Sequence, residues 1–334
     1  MAASASETRP LDGRRTVAGV VVALAVLWLA LHIFDPARIA FASNFVLIFS
    51  SILVEAMPFI LIGAAVSAAI EVFVPATFFE RITGLPRPLQ IPAAGVAGFA
   101  FPVCECGSVP VARRLASKGL SPAASVTFML AAPILNPVVI ASTIVAYRGH
   151  DILWPMVAGR AGLGLICAVS VGWVFANKSR SELLRPNPLQ EEAHDHDHAH
   201  DGKSRAFFGH LAGDFVFMAR YLVLGAAVAA ALQTFVPQSV IASVAGSPVV
   251  DLLAMMLLAF VLSLCSESDA FVAASFVQFG LGAQLAFLVF GPMLDTKLGF
   301  LYGGTFDRSL LRTVAIVVAA VTLAGTLWMQ VAFG

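Results

Sequence analysis

Cys104 and Cys106 stand two residues apart in Phe101-Pro-Val-Cys-Glu-Cys-Gly-Ser-Val-Pro110, with the carboxylate of Glu105 between them. Thiolates prefer soft ions such as Cu(I), As(III) or Hg(II) over hard ones, so two thiols facing one cavity would hold a thiophilic solute. The same cysteines would also serve as small apolar residues at a tight turn. A disulfide between them is disfavoured, because two cysteines so close strain the bridge. Pro102 and Pro110 each remove a backbone donor and Gly107 permits unusual dihedrals, so the stretch reads as interrupted rather than as regular helix.

The elements around this stretch belong to a membrane. Of 334 residues, 59% are hydrophobic and 12% charged, against about a quarter charged in an ordinary soluble domain. That composition predicts an all-α polytopic membrane protein whose first partner is the lipid bilayer. A formal net charge of zero gives no case for nucleic acid. Four scattered cysteines, Cys104, Cys106, Cys167 and Cys265, do not make a secreted disulfide framework. In such a chain Glu105 costs roughly 2 kcal/mol or more unless protein or water surrounds it.

Apolar runs and charge divide the chain into a cytoplasmic N-terminus (1–15), a first transmembrane half (16–176), a cytoplasmic His/Asp-rich linker (177–206) and a second transmembrane half (207–334). Arg9, Arg14 and Arg15 precede an uncleaved first span at 16–34. Further apolar segments lie at about 44–74, 91–103, 121–147, 152–176, 207–236, 249–265, 270–279, 283–304 and 312–332.

The second half repeats the first. Ile62-Gly-Ala-Ala-Val-Ser-Ala-Ala-Ile-Glu-Val-Phe-Val-Pro75 aligns without a gap on Leu224-Gly-Ala-Ala-Val-Ala-Ala-Ala-Leu-Gln-Thr-Phe-Val-Pro237. At the same offset Gly84 meets Gly246, Pro86 meets Pro248 and Glu105 meets Glu267, and Pro133–Asn136 corresponds to Pro292–Asp295 after a small deletion. If the segments carrying Cys104-Glu-Cys106 and Cys265-Ser-Glu267 enter and leave on one side, every basic cluster falls in the cytoplasm, as the positive-inside rule prefers. The result is an inverted repeat with about seven spanning helices and two re-entrant broken-helix hairpins, a transporter architecture.

Glu105 and Glu267, related by the repeat, are candidates to carry a coupling ion, with a buried structural network as the plainer alternative. Asp269, Asp295 and Lys297 lie close enough in sequence to pair with them. Asn136 and Asp295 each follow a helix-breaking proline, whose freed carbonyls make them candidate contacts for substrate or ion. Glu55 and Arg220, on repeat-related helices, are expected to neutralise each other. His194, His196, His198 and His200 alternate with acidic and small residues in the linker. They read either as a loose divalent-metal site or as a solvated linker. Cys167, on an apolar helix, reads as packing.

The motif Phe101–Val111, the later Ala132-Pro-Ile-Leu-Asn-Pro137 and Cys265-Ser-Glu-Ser-Asp-Ala-Phe-Val-Ala-Ala-Ser-Phe276 together resemble the bacterial predicted-permease family that includes the organoarsenical efflux permeases. The resemblance covers roughly residues 44–306 and implies a multi-pass permease of the inner membrane. It does not fix the substrate, and Glu105 between the cysteines points toward a branch distinct from the arsenical exporters. Two functions remain at this stage. One is a proton-coupled secondary exporter of a thiophilic metalloid, organoarsenical or soft-metal species, acting alone or as a homo-oligomer. The other is a membrane-embedded thiol oxidoreductase or metal-handling protein using Cys104 and Cys106. The repeat favours transport, and no Gly-x-x-x-x-Gly-Lys-Ser/Thr nucleotide loop is present. No cofactor is called for.

Overall fold

The computed structural model of the chain describes residues 40–75, 86–101, 103–185, 203–235 and 248–333. Twelve of the described α-helices carry the architecture, beside a four-residue helix at Arg180–Leu183 and a 3-10 turn at Gly98–Ala100. α1 is Ala40–Phe73, α2 Arg87–Ala97, α3 Glu105–Ser117, α4 Pro122–Leu135, α5 Pro137–Ala146 and α6 Leu153–Val174. α7 is Lys203–Phe235, α8 Pro248–Leu262, α9 Asp269–Ser275, α10 Leu281–Phe290, α11 Thr296–Thr305 and α12 Arg308–Phe333. Among the described residues no strand forms, only one isolated bridge between Leu184 and Phe306. Contacts divide the chain into Met1–Leu47 and Ile48–Gly334, and the site described below lies wholly within the second unit.

Among the described residues five helical stretches are long and apolar enough to cross a bilayer: Ala42–Phe73, Pro122–Ala146, Leu153–Val174, Lys203–Phe235 and Arg308–Ala332. The expected span at 16–34 lies outside the described residues. The segment at 283–304 is not one continuous helix. Gly291 and Pro292 interrupt it, and α10 and α11, ten residues each, lie on either side of the break. Proline removes a donor and obstructs the preceding turn. A milder break separates α4 from α5, where Asn136, ahead of Pro137, is extended in ψ (130°).

The order of elements repeats. α1 to α6 run long helix, short apolar helix, interrupted motif, short helix, broken pair, long helix, and α7 to α12 run the same series. Packing repeats with it, α2 on α4 and α4 on α6 in the first half, α8 on α10 and α10 on α12 in the second. Other contacts cross between the halves: α3 packs on α11, α9 on α5, and α6 on α12. The short helix after each motif therefore rests on the post-break helix of the other half. Two repeat-related glycines permit close backbone approaches. A Cβ at Gly63 would sit 2.6 Å from the Gly107 Cα, and one at Gly225 would sit 2.8 Å from the Lys297 Cα.

Ends of elements are capped by side chains. Asn136 accepts from the Val138 N–H at 2.9 Å and Asp295 from the Leu298 N–H at 2.7 Å, so both start the second member of a broken pair. Ser121 does the same for α4. Outside the spans, Asp307 accepts from the Ser309 N–H at the head of α12, which holds its carboxyl below the usual range. The linker begins as packed chain. Leu183 is buried, Asp307 donates its N–H to the Leu183 carbonyl, and Arg185 donates to the Gly303 and Thr305 carbonyls.

Candidate functional site

Both motifs are breaks in helix, each for a local reason. Phe101 and Cys104 have extended backbone, and α3 begins only at Glu105, which places that carboxylate in the first turn, where a helix end favours negative charge. In the second half α8 ends at Leu262, and Ser263 adopts φ 46°, a left-handed conformation rare outside glycine. Three contacts hold Ser263 there. Its hydroxyl donates to the Phe260 carbonyl at 3.2 Å and accepts from the Thr296 N–H at 3.1 Å, and its carbonyl accepts from Lys297 at 3.0 Å. Residues 263–268 are thus irregular backbone within protein, with cations on their carbonyls: Lys297 Nζ also serves Leu264, and Arg160 serves Ser266.

The two breaks meet. One ligand atom from each of Cys104, Glu105 and Cys265 lies within 4.8 Å of the other two, and all three residues are buried. Glu105, 1% exposed, forms an ion pair with Lys297 Nζ at 2.9 Å, and its other oxygen accepts from the Ser266 hydroxyl at 2.9 Å. Lys297 reaches Asp295 as well, at 3.5 Å. Glu267 accepts from the Cys265 thiol at 2.6 Å and lies 3.3 Å from the Ser266 hydroxyl. Cys106 is buried beside Cys104 but stands outside the trio. The thiol partner that the fold supplies to Cys104 across the halves is Cys265, 161 positions along.

Asp269 pairs with Arg160 at 2.7 Å, and Arg160 also donates to Thr143 at 2.9 Å. Arg160 lies within α6, 2% exposed, and is not among the residues the sequence singles out. A lone arginine in an otherwise apolar span was the available signal, since such a charge needs a buried partner. Asn136 reaches the first motif through a long donor contact to the Val103 carbonyl, 3.4 Å. Glu267 and Glu105 align in sequence, yet Glu105 is the first residue of its helix, while in the second half that place belongs to Asp269.

Several expectations are corrected. Glu55 and Arg220 do not pair: Glu55 accepts from Ser268 at 3.0 Å, and Arg220 stacks over Phe217 and Tyr221. Arg113 and Arg114, within the basic clusters expected on the cytoplasmic side, are buried. Arg114 binds Asp214 at 2.9 Å, Glu71 at 3.1 Å and Ser67 at 3.3 Å, and Arg113 donates to the Thr305 and Arg185 carbonyls. His194, His196, His198, His200 and Pro102 lie outside the described residues. Cys167, read as packing, is buried as expected, its thiol 3.7 Å from the Thr322 hydroxyl.

The family profile described as "Predicted permease" matches residues 42–330. The chain is 40% identical over 289 residues to the UPF0718 protein YcgR of Bacillus subtilis, a match covering 85% of this chain and 96% of that protein. It is 35% identical over 254 residues to a Streptococcus mutans protein named "Putative two-component membrane permease complex subunit", covering 75% of this chain and 83% of that one. No solved structure matches.

Proposed function

The chain belongs to that family of predicted permeases and is a multi-pass membrane protein, and on this premise we propose that it is a secondary exporter of a thiophilic solute, a metalloid, organoarsenical or soft-metal species, across the bacterial inner membrane. The carrying observation is the buried trio of Cys104, Glu105 and Cys265, contributed by both halves. With metal–sulfur bonds of about 2.3 Å, two thiolates on opposite sides of one ion stand about 4.6 Å apart, so the 4.8 Å envelope needs little adjustment to close on a soft centre.

The architecture that fits is two hairpin-bearing halves of opposite orientation, seven spans in all, with the trio near the midplane. Support comes from the repeated element order and from the exchanged packing of α3 on α11 and α9 on α5. Such a site is opened first to one face and then to the other by rocking one half against the other. Protons are the coupling ion in this reading, which the carboxylates gathered around the thiols support. Because the Streptococcus mutans relative is named as a complex subunit, a second polypeptide is a further expected partner, beside a homo-oligomer.

Thiol dependence tests the site. Purified protein titrated with Cd(II), followed by the near-ultraviolet thiolate charge-transfer band, is expected to bind one ion, and Cys104→Ser and Cys265→Ser are each expected to weaken it by about a hundred-fold or more. Unchanged binding in both variants would remove the trio from the function.

A further inference from the structure

From residue 215 to residue 235, α7 carries one charge, Arg220. Unlike Arg114 and Arg160, which are buried, Arg220 is exposed on the outer surface of its helix. The helix runs on from Arg220 to Phe235, about 22 Å at 1.5 Å per residue. A hydrocarbon core of about 30 Å therefore holds the Arg220 backbone about 8 Å inside the boundary on the Lys203 side. Among the described residues no carboxylate pairs with Arg220, and its guanidinium lies 4.4 Å from the Phe217 ring centroid and 4.8 Å from that of Tyr221. An arginine so placed snorkels to the interface and takes an anion there.

Tyr221 also stands at the end of a groove. A cavity of about 570 Å³ runs between α7, α8, α11 and α12. Leu224, Val228 and Leu232 form its α7 wall, and the first two are exposed, so the groove faces out of the bundle. Gly299 and Gly303 of α11 present no side chain to it, and a Cβ at either would meet open space. Its two hydroxyl-bearing side chains are Tyr221, beside Arg220, and Thr296, whose hydroxyl already donates to the Phe260 carbonyl at 2.9 Å. Along its length, then, the groove offers hydrocarbon rather than polar partners. From Tyr221 to Leu232 it extends about 16 Å, room for most of an extended acyl chain. Two more exposed arginines, Arg308 and Arg312, flank Leu311, the α12 residue of the lining, and neither has a carboxylate partner among the described residues.

We propose that this groove binds an anionic phospholipid of the adjoining leaflet. One acyl chain lies along α7 between Leu224 and Leu232, and the headgroup phosphate takes Arg220, whose planar fork suits a phosphate. A solute from water gains nothing from a lining without polar partners, and a transmembrane helix laid there would have to supply its own anion to Arg220. A phospholipid brings the chain and the charge joined. This lipid site shares no residue with the thiol trio.

The test titrates delipidated protein in neutral detergent with phosphatidylglycerol and with phosphatidylcholine of the same acyl chains, and reads bound lipid by native mass spectrometry. Wild-type protein is expected to bind one phosphatidylglycerol about ten-fold more tightly than phosphatidylcholine. Arg220→Gln is expected to lose about five-fold toward phosphatidylglycerol and less than about two-fold toward phosphatidylcholine. Gly303→Leu fills the groove at a helical position with room for the side chain, so the fold is kept, and it is expected to weaken both lipids by about ten-fold. Equal affinity of wild-type protein for the two lipids, or unchanged phosphatidylglycerol binding in either variant, overturns the proposal. Disulfide cross-linking of Gly303→Cys between two copies in native membranes overturns it as well, because the groove would then belong to a second copy of the chain.

Discussion

Replacing Lys297 by methionine removes the one cation that Glu105 has and keeps the unbranched side chain up to the position of the ammonium. At an effective dielectric of about 20, a pair at 2.9 Å carries about 6 kcal/mol of attraction and one at 3.5 Å about 5 kcal/mol. Most of that is offset by the desolvation of the three charges, so the useful quantity is the cost of leaving a buried partner unpaired, about 3–5 kcal/mol. The carbonyls of Ser263 and Leu264 lose their donor too, which adds to the loss at the strained end of α8. Thermal unfolding of purified protein in detergent is expected to fall by about 10 °C. Glu105→Gln removes the charge that Lys297 answers, so the double variant should recover about 2 kcal/mol or more relative to the sum of the singles. A Lys297→Met protein as stable as wild type would refute the reasoning, as would additivity in the cycle.

Gly63→Val should displace α3, because its Cβ would press on Gly107 backbone at 2.6 Å. We expect a loss of about 1–3 kcal/mol together with weakened Cd(II) binding, whereas Gly209→Ala, facing open space, should be neutral or slightly stabilising in the same melts. Cys167→Ser should leave Cd(II) binding unchanged, since its thiol meets Thr322 and not the trio; a change would bring Cys167 into the site. Single cysteines placed at the exposed positions Ser117 and Asp151, on a cysteine-free background, should label from opposite faces, Ser117→Cys from the cytoplasm and Asp151→Cys from outside. Labelling of both from one face would end the hairpin topology.

Long apolar runs were legible because a bilayer leaves the sequence little freedom. The stretch expected at 44–74 is α1, Ala40–Phe73, and that expected at 207–236 is α7, Lys203–Phe235. The break at Pro292 was legible as well, but Pro133, read as the breaking proline ahead of Asn136, stays inside α4, and that break falls at Pro137 instead. Asn136 and Asp295 read as contacts for a solute, and the structure gives each a capping bond that the alignment alone did not suggest. Long-range partners were the hardest. Spacing drew attention to Cys104 with Cys106, while the fold brings Cys265 from the other half, one position away from where the repeat places it opposite Cys104. Arg160 and Asp269 are 109 positions apart, and no local pattern links an arginine in one apolar helix to an acid at the start of another. Arg113 and Arg114 show the same limit from the other side. Their sequence surroundings read as a basic cluster on the cytoplasmic side, yet partners on α1, α7 and α11 bury them.

The most direct measurement is flux in proteoliposomes that contain this chain alone, loaded with a Cd(II)-chelating fluorescent reporter and given a pH gradient as the only energy source. Wild-type protein should concentrate Cd(II) against its gradient, with a rate that collapses when the pH gradient is dissipated and in Cys104→Ser and Cys265→Ser protein of normal fold. Accumulation that persists without the pH gradient, or that proceeds at wild-type rate in both cysteine variants, would contradict the account.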